Sequence, residues 1–241
     1  MNHLHRRTWT VAPCLAACFA LSGCGFHPVE RGKLVTETES IDLDQAELTR
    51  VELRIGAGKL DVHGGSPNLM DATFRYDVPL WKPEVEYSST GTRSDIRVEQ
   101  PQTAGAPFGK YEYNWDIALN DNVRMDVIAR MGAGEAHMNL SAMQLRNVEV
   151  DIGVGEVEVD LDGHPERSYD VQINGGVGQA TVYLPDDVAI SATAEGGIGD
   201  IKVEGLERRG HRYINPGHED DPVMIRVDVR GGVGEIHLIT R

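Results

Sequence analysis

Basic residues, aromatic rings, cysteines and helix signals are all scarce in this sequence, and each scarcity excludes something. Lys and Arg total 23 against 38 Asp and Glu, a formal charge of −15 with a pI near 4.9. That negative sheath repels phosphate backbones and argues against nucleic-acid binding. Aromatics make up only 6% of the 241 residues, so the core must be built from aliphatic side chains. Three cysteines cannot form a disulfide framework. All three, Cys14, Cys18 and Cys24, fall within the first 24 residues. Helical periodicity is nearly missing after that point; only Ser141 to Arg146 could hold a short turn, as part of a connection. A Gly-x-Ser-x-Gly elbow is also lacking, which removes one nucleophilic chemistry. Charged residues at 25% and hydrophobic ones at 40% are globular values that exclude wholesale disorder. What is plentiful is glycine, at 27 residues, a sign of many tight backbone turns.

The first residues read as an export signal. Arg6 and Arg7 form a basic start, and an uncharged stretch runs from Thr8 to Ala20. It is too short to span a membrane, which needs about 20 apolar residues. The ending Leu21-Ser22-Gly23-Cys24 resembles the lipobox of bacterial lipoproteins, in which the cysteine is acylated, with palmitate among the chains, and becomes the mature N-terminus. Leu15-Ala16-Ala17-Cys18 is a competing match; Cys24 is preferred because cutting there leaves a full-length apolar region. Residues 1–23 are then a lipoprotein signal peptide and Cys24 the lipidation site, opening a linker over 24–37. Loss of Arg6 and Arg7 leaves 21 basic against 38 acidic residues, a mature charge of −17.

The rest of the chain repeats itself. Six segments carry an alternating apolar run, a Gly-x-Gly, one polar residue and a second alternating run; their first glycines are Gly56, Gly132, Gly153, Gly176, Gly197 and Gly232. Four consecutive copies are spaced 21, 23 and 21 residues apart, a solenoid period. The alternation slips by one residue at every Gly-x-Gly: Val148, Val150 and Ile152 are even, whereas Val157, Val159 and Leu161 are odd. Strand side chains alternate faces with period 2, so a corner must absorb one residue if both halves are to face one interior. Glycine permits that backbone. The expectation is an all-β protein, a single-stranded β-solenoid with coils of about 21 residues, or ~70 Å of extended chain per coil. Residues 63–122 fall outside the period and contain three strand-like runs, Met70–Tyr76, Lys82–Tyr87 and Ser94–Gln100. Pro101-Gln-Thr-Ala-Gly-Ala-Pro107 is the best boundary, which divides the chain into an N-terminal β domain over 38–105 and a repeating domain over 106–241. Residues 205–222 stretch the last spacing to 35 and read as a mobile surface loop.

Several of these segments carry a resemblance. Glu39-Ser-Ile-Asp-Leu43 through Lys82-Pro-Glu-Val-Glu-Tyr87 resembles the N-terminal domain of toast-rack proteins. Trp115-Asp-Ile-Ala-Leu119, Asn139-Leu-Ser-Ala-Met-Gln-Leu-Arg146 and Val150-Asp-Ile-Gly-Val-Gly155 are similar to their repeating C-terminal part, as is Tyr213-Ile-Asn-Pro-Gly217 followed by Gly231-Gly-Val-Gly-Glu-Ile236. The resemblance implies a rack of short β-strands, related to adhesin head domains and to proteins of the cell-envelope response to wall-active antibiotics. Those relatives carry several membrane helices where this chain has a lipoprotein-like leader, so regulation of a sensor kinase does not carry over. The family pattern supplies no catalytic residues.

Six features could carry chemistry. Gly56-Ala-Gly58-Lys59-Leu60 lacks the third glycine and the helix of a dinucleotide site and the Ser/Thr of a P-loop. Gly-Gly-Ile-Gly-Asp200 resembles a calcium nonapeptide, but the period is about 21 rather than 9 residues. The residues after each Gly-x-Gly, Glu135, Glu156, Gln179, Asp200 and Glu235, would form a column along one edge, either a wet charged face or a weak divalent-cation site. His218-Glu-Asp-Asp221 clusters ligand types in a loop, and His137 and His237 match in position but would stack only in neighbouring coils. Trp81 and Trp115 suit the core better than a sugar-stacking surface. These readings lead to a non-catalytic, lipid-anchored binding module without cofactor or metal. It would stand on the extracytoplasmic or periplasmic side of the cell membrane or outer membrane, facing an envelope protein or polysaccharide. The alternatives are an enzyme acting on envelope polysaccharide and a stress regulator contacting a membrane partner.

Overall fold

The computed structural model describes residues 31–102 and 110–241. The expected signal peptide, Cys24 and the boundary between 105 and 106 lie outside the described residues. Fourteen strands make up one open sheet: β1 (Val35–Ile41), β2 (Leu48–His63), β3 (Met70–Tyr76), β4 (Glu84–Thr90), β5 (Arg93–Glu99), β6 (Tyr113–Leu119), β7 (Arg124–Asn139), β8 (Leu145–Asp160), β9 (Tyr169–Leu184), β10 (Ala189–Ile198), β11 (Ile201–Glu204), β12 (Glu207–Arg209), β13 (Arg212–Ile214) and β14 (Met224–Thr240). One 3₁₀ turn, Pro79–Trp81, is the helical content of the described residues. The protein is an all-β solenoid.

Five of the six Gly-x-Gly sit in the middle of a strand that bends through them, and the sixth, at Gly197, falls at the break between β10 and β11, so a coil has two arms. Parallel pairing runs along both arms, as in Val148↔Val171 and Val159↔Val182 between β8 and β9. The phase slip has its expected cause: Val148, Val150 and Ile152 are buried on one side of the corner, and Val157, Val159 and Leu161 on the other. Both arms therefore face one aliphatic core. The ladder omits a single pair at the first glycine, passing from Ile152↔Gly175 to Val154↔Val177.

Glycine is required there by the neighbouring coil. A Cβ on Gly153 would stand 2.5 Å from the carbonyl oxygen of Gly132, and one on Gly155 would stand 1.8 Å from that of Gly134. The second glycine of each corner also has positive φ, 140° at Gly155, a region L side chains rarely adopt.

At the first coil the neighbours change. The first arm of β2 pairs with β5, which continues to β4; the second arm pairs with β6, which continues to β3 and β1. The aromatics gather at this end: Phe74 lies edge-on to Trp115 at 5.6 Å, and Trp81 to Tyr111 at 4.9 Å and Tyr113 at 5.4 Å. Both tryptophans are buried, so neither offers a sugar-stacking surface. β1 begins at Val35, inside the stretch expected as linker.

The coils do not stack in chain order: β14 inserts between β9 and β10, giving β2-β7-β8-β9-β14-β10. One expectation is corrected. Residues 205–222 are not a plain loop. They contain the hairpin β12–β13, turned at Gly210 with φ 65°, and β13 pairs antiparallel with β10 at Ser191 and Ala192. Asn215 fixes it, its Nδ2 donating to the carbonyls of Asp186 at 2.8 Å and Val188 at 2.9 Å. Hydrogen bonding to the sheet edge and these two tethers order the segment.

Candidate functional site: the outer corner

The bend that points both arms inward leaves the middle residue of each Gly-x-Gly pointing out. Register places these residues in one row, Ala57↔Ala133↔Val154↔Val177↔Val233↔Ile198. At about 4.8 Å per strand the row is a ridge roughly 24 Å long. It grows more apolar toward β10: the alanines are half-buried, Val154, Val177 and Val233 are 54%, 49% and 45% exposed, and Ile198 at the end is 72% exposed. An exposed aliphatic row of this length, framed by polar residues, has the composition of an interaction surface. Sequence reasoning passed over it while attending to the glycines. The available signal was that the residue between two glycines at a solvent corner is aliphatic in all six copies.

Beside the ridge on the second arm lies the expected column. Register aligns Lys59, Glu135, Glu156, Gln179 and Glu235, and Asp200 flanks Glu235 where its carbonyl accepts from Ile236 N at 3.0 Å. Gln179 separates Glu156 from Glu235 and dilutes the like-charge contacts. Lys202 and His237 each bond Glu235 at 2.8 Å and hold its carboxyl below the usual range. Among the described residues no group of three or more His, Cys, Asp or Glu is arranged for a metal ion. The geometry is a wet charged border.

On the other flank, the outer face of the first arm is an ion-pair lattice. Glu52, its side chain only 6% exposed, lies among Arg50, Arg54, Arg97 and Arg130, with Arg54 Nη2 at 2.8 Å. Arg130 also reaches Glu149 at 3.0 Å and Asp151 at 3.5 Å, tying β2 to β7 and β8. Burial alone would raise the Glu52 carboxyl, but the Arg54 hydrogen bond and the charges of Arg54, Arg130 and Arg50 outweigh it and set it below the usual range.

The remaining expected sites separate. His137 and His237 lie on β7 and β14, with β8 and β9 between them, and do not stack. In the 218–221 cluster, His218 Nδ1 bonds Asp221 at 2.8 Å, and Glu219 bonds Arg209 at 2.8 Å and accepts from Gly217 N at 3.0 Å. Those groups satisfy one another.

The fold is shared with known proteins. Residues 30–183 match the family model of the N-terminal domain of toast_rack. The chain belongs to the toast-rack family. A solved toast-rack relative from Clostridium sporogenes ATCC 15579, provisionally described as a cell adhesion protein, is 31% identical with a TM-score of 0.84, covering 87% of this chain and 100% of its own. Two structures provisionally described as adhesins are more distant. One, from Bacteroides fragilis NCTC 9343, is 10% identical with a TM-score of 0.27, covering 86% of this chain and 97% of its own. The other, from Parabacteroides distasonis ATCC 8503, is 12% identical with a TM-score of 0.28, covering 85% and 97%. No curated protein matches the chain.

Proposed function

We propose that this toast-rack protein is a lipid-anchored, extracytoplasmic interaction module that presents its outer corner to an envelope partner. The ridge from Ala57 to Ile198 carries this reading, because it keeps half-exposed aliphatic side chains in an unbroken row where a solitary domain would place polar ones. The description of the Clostridium sporogenes relative as a cell adhesion protein supports the same class of activity. Lipid on Cys24 would hold the chain at the membrane, and the partner is an envelope protein with an apolar strip and basic groups facing Glu135, Glu156 and Glu235.

Among the described residues, the carboxyls of Asp44, Glu52, Asp71, Glu219 and Glu235 are each shifted toward the ionised form, so none of these five serves as the protonated acid of a polysaccharide hydrolase. A glycoside hydrolase needs one carboxyl held protonated against its neighbours.

In-cell photocrosslinking from position 154 tests the proposal, with position 61, on the second arm, as reference. The expected result is one dominant protein adduct from 154 that Ile198→Asp with Val233→Asp reduces at least about tenfold, as for loss of a hot spot. Equal adducts from 154 and 61, or no change in the double variant, would overturn it.

A further inference from the structure

The far ends of the first arms, away from the outer corner, hold a groove of about 830 Å³. Its lining includes Arg93, Arg124, Arg146 and Arg167, together with Glu47 and Glu166, in a chain whose formal charge is −15. Pairing brings them together. Leu48 is opposite Arg93 on one side and Arg124 on the other, so the two arginines share an outward-facing row two strand spacings, about 9.6 Å, apart. The next residues of that row, Thr49, Ser94 and Met125, are buried on the inner face. Arg146 enters at the bulge where β8 slips against β7 between Met125 and Asp126, and Arg167 precedes β9.

Arg146 is already neutralised by Asp126, which it clamps through two nitrogens. Arg93, Arg124 and Arg167 have no ion pair or side-chain hydrogen bond among the described residues, although Glu47 and Glu166 share the groove. Arg124 Nε is buried with no acceptor. A buried donor left unpaired is unfavourable, and a guanidinium that no protein acceptor holds can turn toward an oxyanion in the groove.

We propose that this groove binds a phosphoryl group, with Arg93, Arg124 and Arg167 as its ligands. Three guanidinium groups on three separate segments suit an anion with three or more peripheral oxygens, whereas a carboxylate offers two oxygens to a single fork. The three arginines exceed Glu47 and Glu166 by one positive charge, which a phosphoryl oxygen would offset. Arg124, Arg146 and Arg167 fall 22 and 21 residues apart, so each of three successive coils brings one cation to this end of its first arm. The site goes beyond the outer-corner reading and stands or falls separately from it.

Isothermal titration of the full chain at low ionic strength, with inorganic phosphate, sn-glycerol 3-phosphate and acetate, tests the assignment. Both phosphates should bind saturably and acetate at least about tenfold more weakly. Arg93→Gln and Arg124→Gln should each weaken phosphate about tenfold. Arg208→Gln, which removes the same charge from the exposed hairpin, and Ile198→Asp should leave phosphate binding unchanged. Arg93 is exposed at a strand start, so its variant keeps the fold even if Arg124→Gln does not. Cosedimentation with phosphatidylglycerol-containing vesicles, against phosphatidylcholine alone, separates the two sources of the group. Retention abolished by Arg93→Gln assigns a lipid headgroup; glycerol phosphate binding without retention assigns a soluble or polymeric phosphate ester. No saturable phosphate heat, equal affinity for acetate, or equal weakening by Arg208→Gln would overturn the proposal.

Discussion

Replacing Gly155 by alanine isolates the contact on which the rack is built. The added Cβ would stand 1.8 Å from the Gly134 carbonyl oxygen and 2.9 Å from its carbon, while ordinary contact begins at 3.4 Å, so β7 and β8 must part locally by 1.6 Å. That separation sacrifices about two ladder hydrogen bonds, roughly 2 kcal/mol net. The φ of 140° adds roughly 1–3 kcal/mol of backbone strain for a residue with a Cβ. The expected loss is about 3–5 kcal/mol, or a Tm lower by roughly 10 °C in a domain of this size. Two other glycines serve as references. Gly65 has φ 96° with nothing within 4 Å, so alanine there costs the strain alone. Gly175 has its nearest contacts at 3.8 and 3.9 Å, and alanine there should be neutral or stabilise by about 0.5 kcal/mol through the unfolded chain. Urea unfolding monitored by the fluorescence of buried Trp81 and Trp115 gives the three values. If Gly155→Ala costs no more than Gly65→Ala, coil-to-coil contact is not the reason for the Gly-x-Gly.

The ion-pair lattice should show in acid. Because the folded Glu52 carboxyl lies below the ordinary glutamate value of 4.5, its contribution is complete above about pH 4.5 and is lost as pH falls through the lower folded value. Glu52→Gln should flatten that acid limb in urea titrations and cost about 1–2 kcal/mol at pH 7, less than a fully buried pair because the four arginines stay half-exposed; an unchanged limb would refute the lattice. Cys24→Ser should abolish palmitate labelling and release the chain from the membrane fraction, while Cys18→Ser should do neither; the reverse outcome would move the lipid to Cys18.

The two-armed coil was legible because it is written locally. The parity change between Ile152 and Val157 can be satisfied only by a corner, and the buried residues on each side obey it. The column of Glu135, Glu156 and Glu235 was legible for the same reason, since equal phase in a repeat means a place in the same row of a stack. The hairpin β12–β13 was not. Its strands, Glu207–Arg209 and Arg212–Ile214, are short and mostly exposed, so neither burial nor alternation marked them. The groove was illegible for another reason. Arg93 belongs to β5, outside the repeat, and meets Arg124 only because both strands pair with β2.

Stacking order is where local reading ends, and β14 shows why. Every corner presents the same glycine edge, so β14 can stack on β9 as well as β10 could; Gly232 sits over Gly176, and Gly197 sits over Gly232. The two strands differ in their second arms. β10 ends at Ile198, its second arm is only the four residues of β11, and Asp200 interrupts the two. β14 continues unbroken through Thr240 and pairs with β9 as far as Leu184. Placing the full-length strand inside the stack and the interrupted one at its end satisfies more backbone groups than the chain order would. It also leaves Ile198 and Ile201 at the edge, which makes the end of the ridge its most exposed part. The long connection that carries β14 back is the segment that forms the hairpin on β10, so the insertion, the hairpin and the exposed end of the ridge are consequences of one short arm.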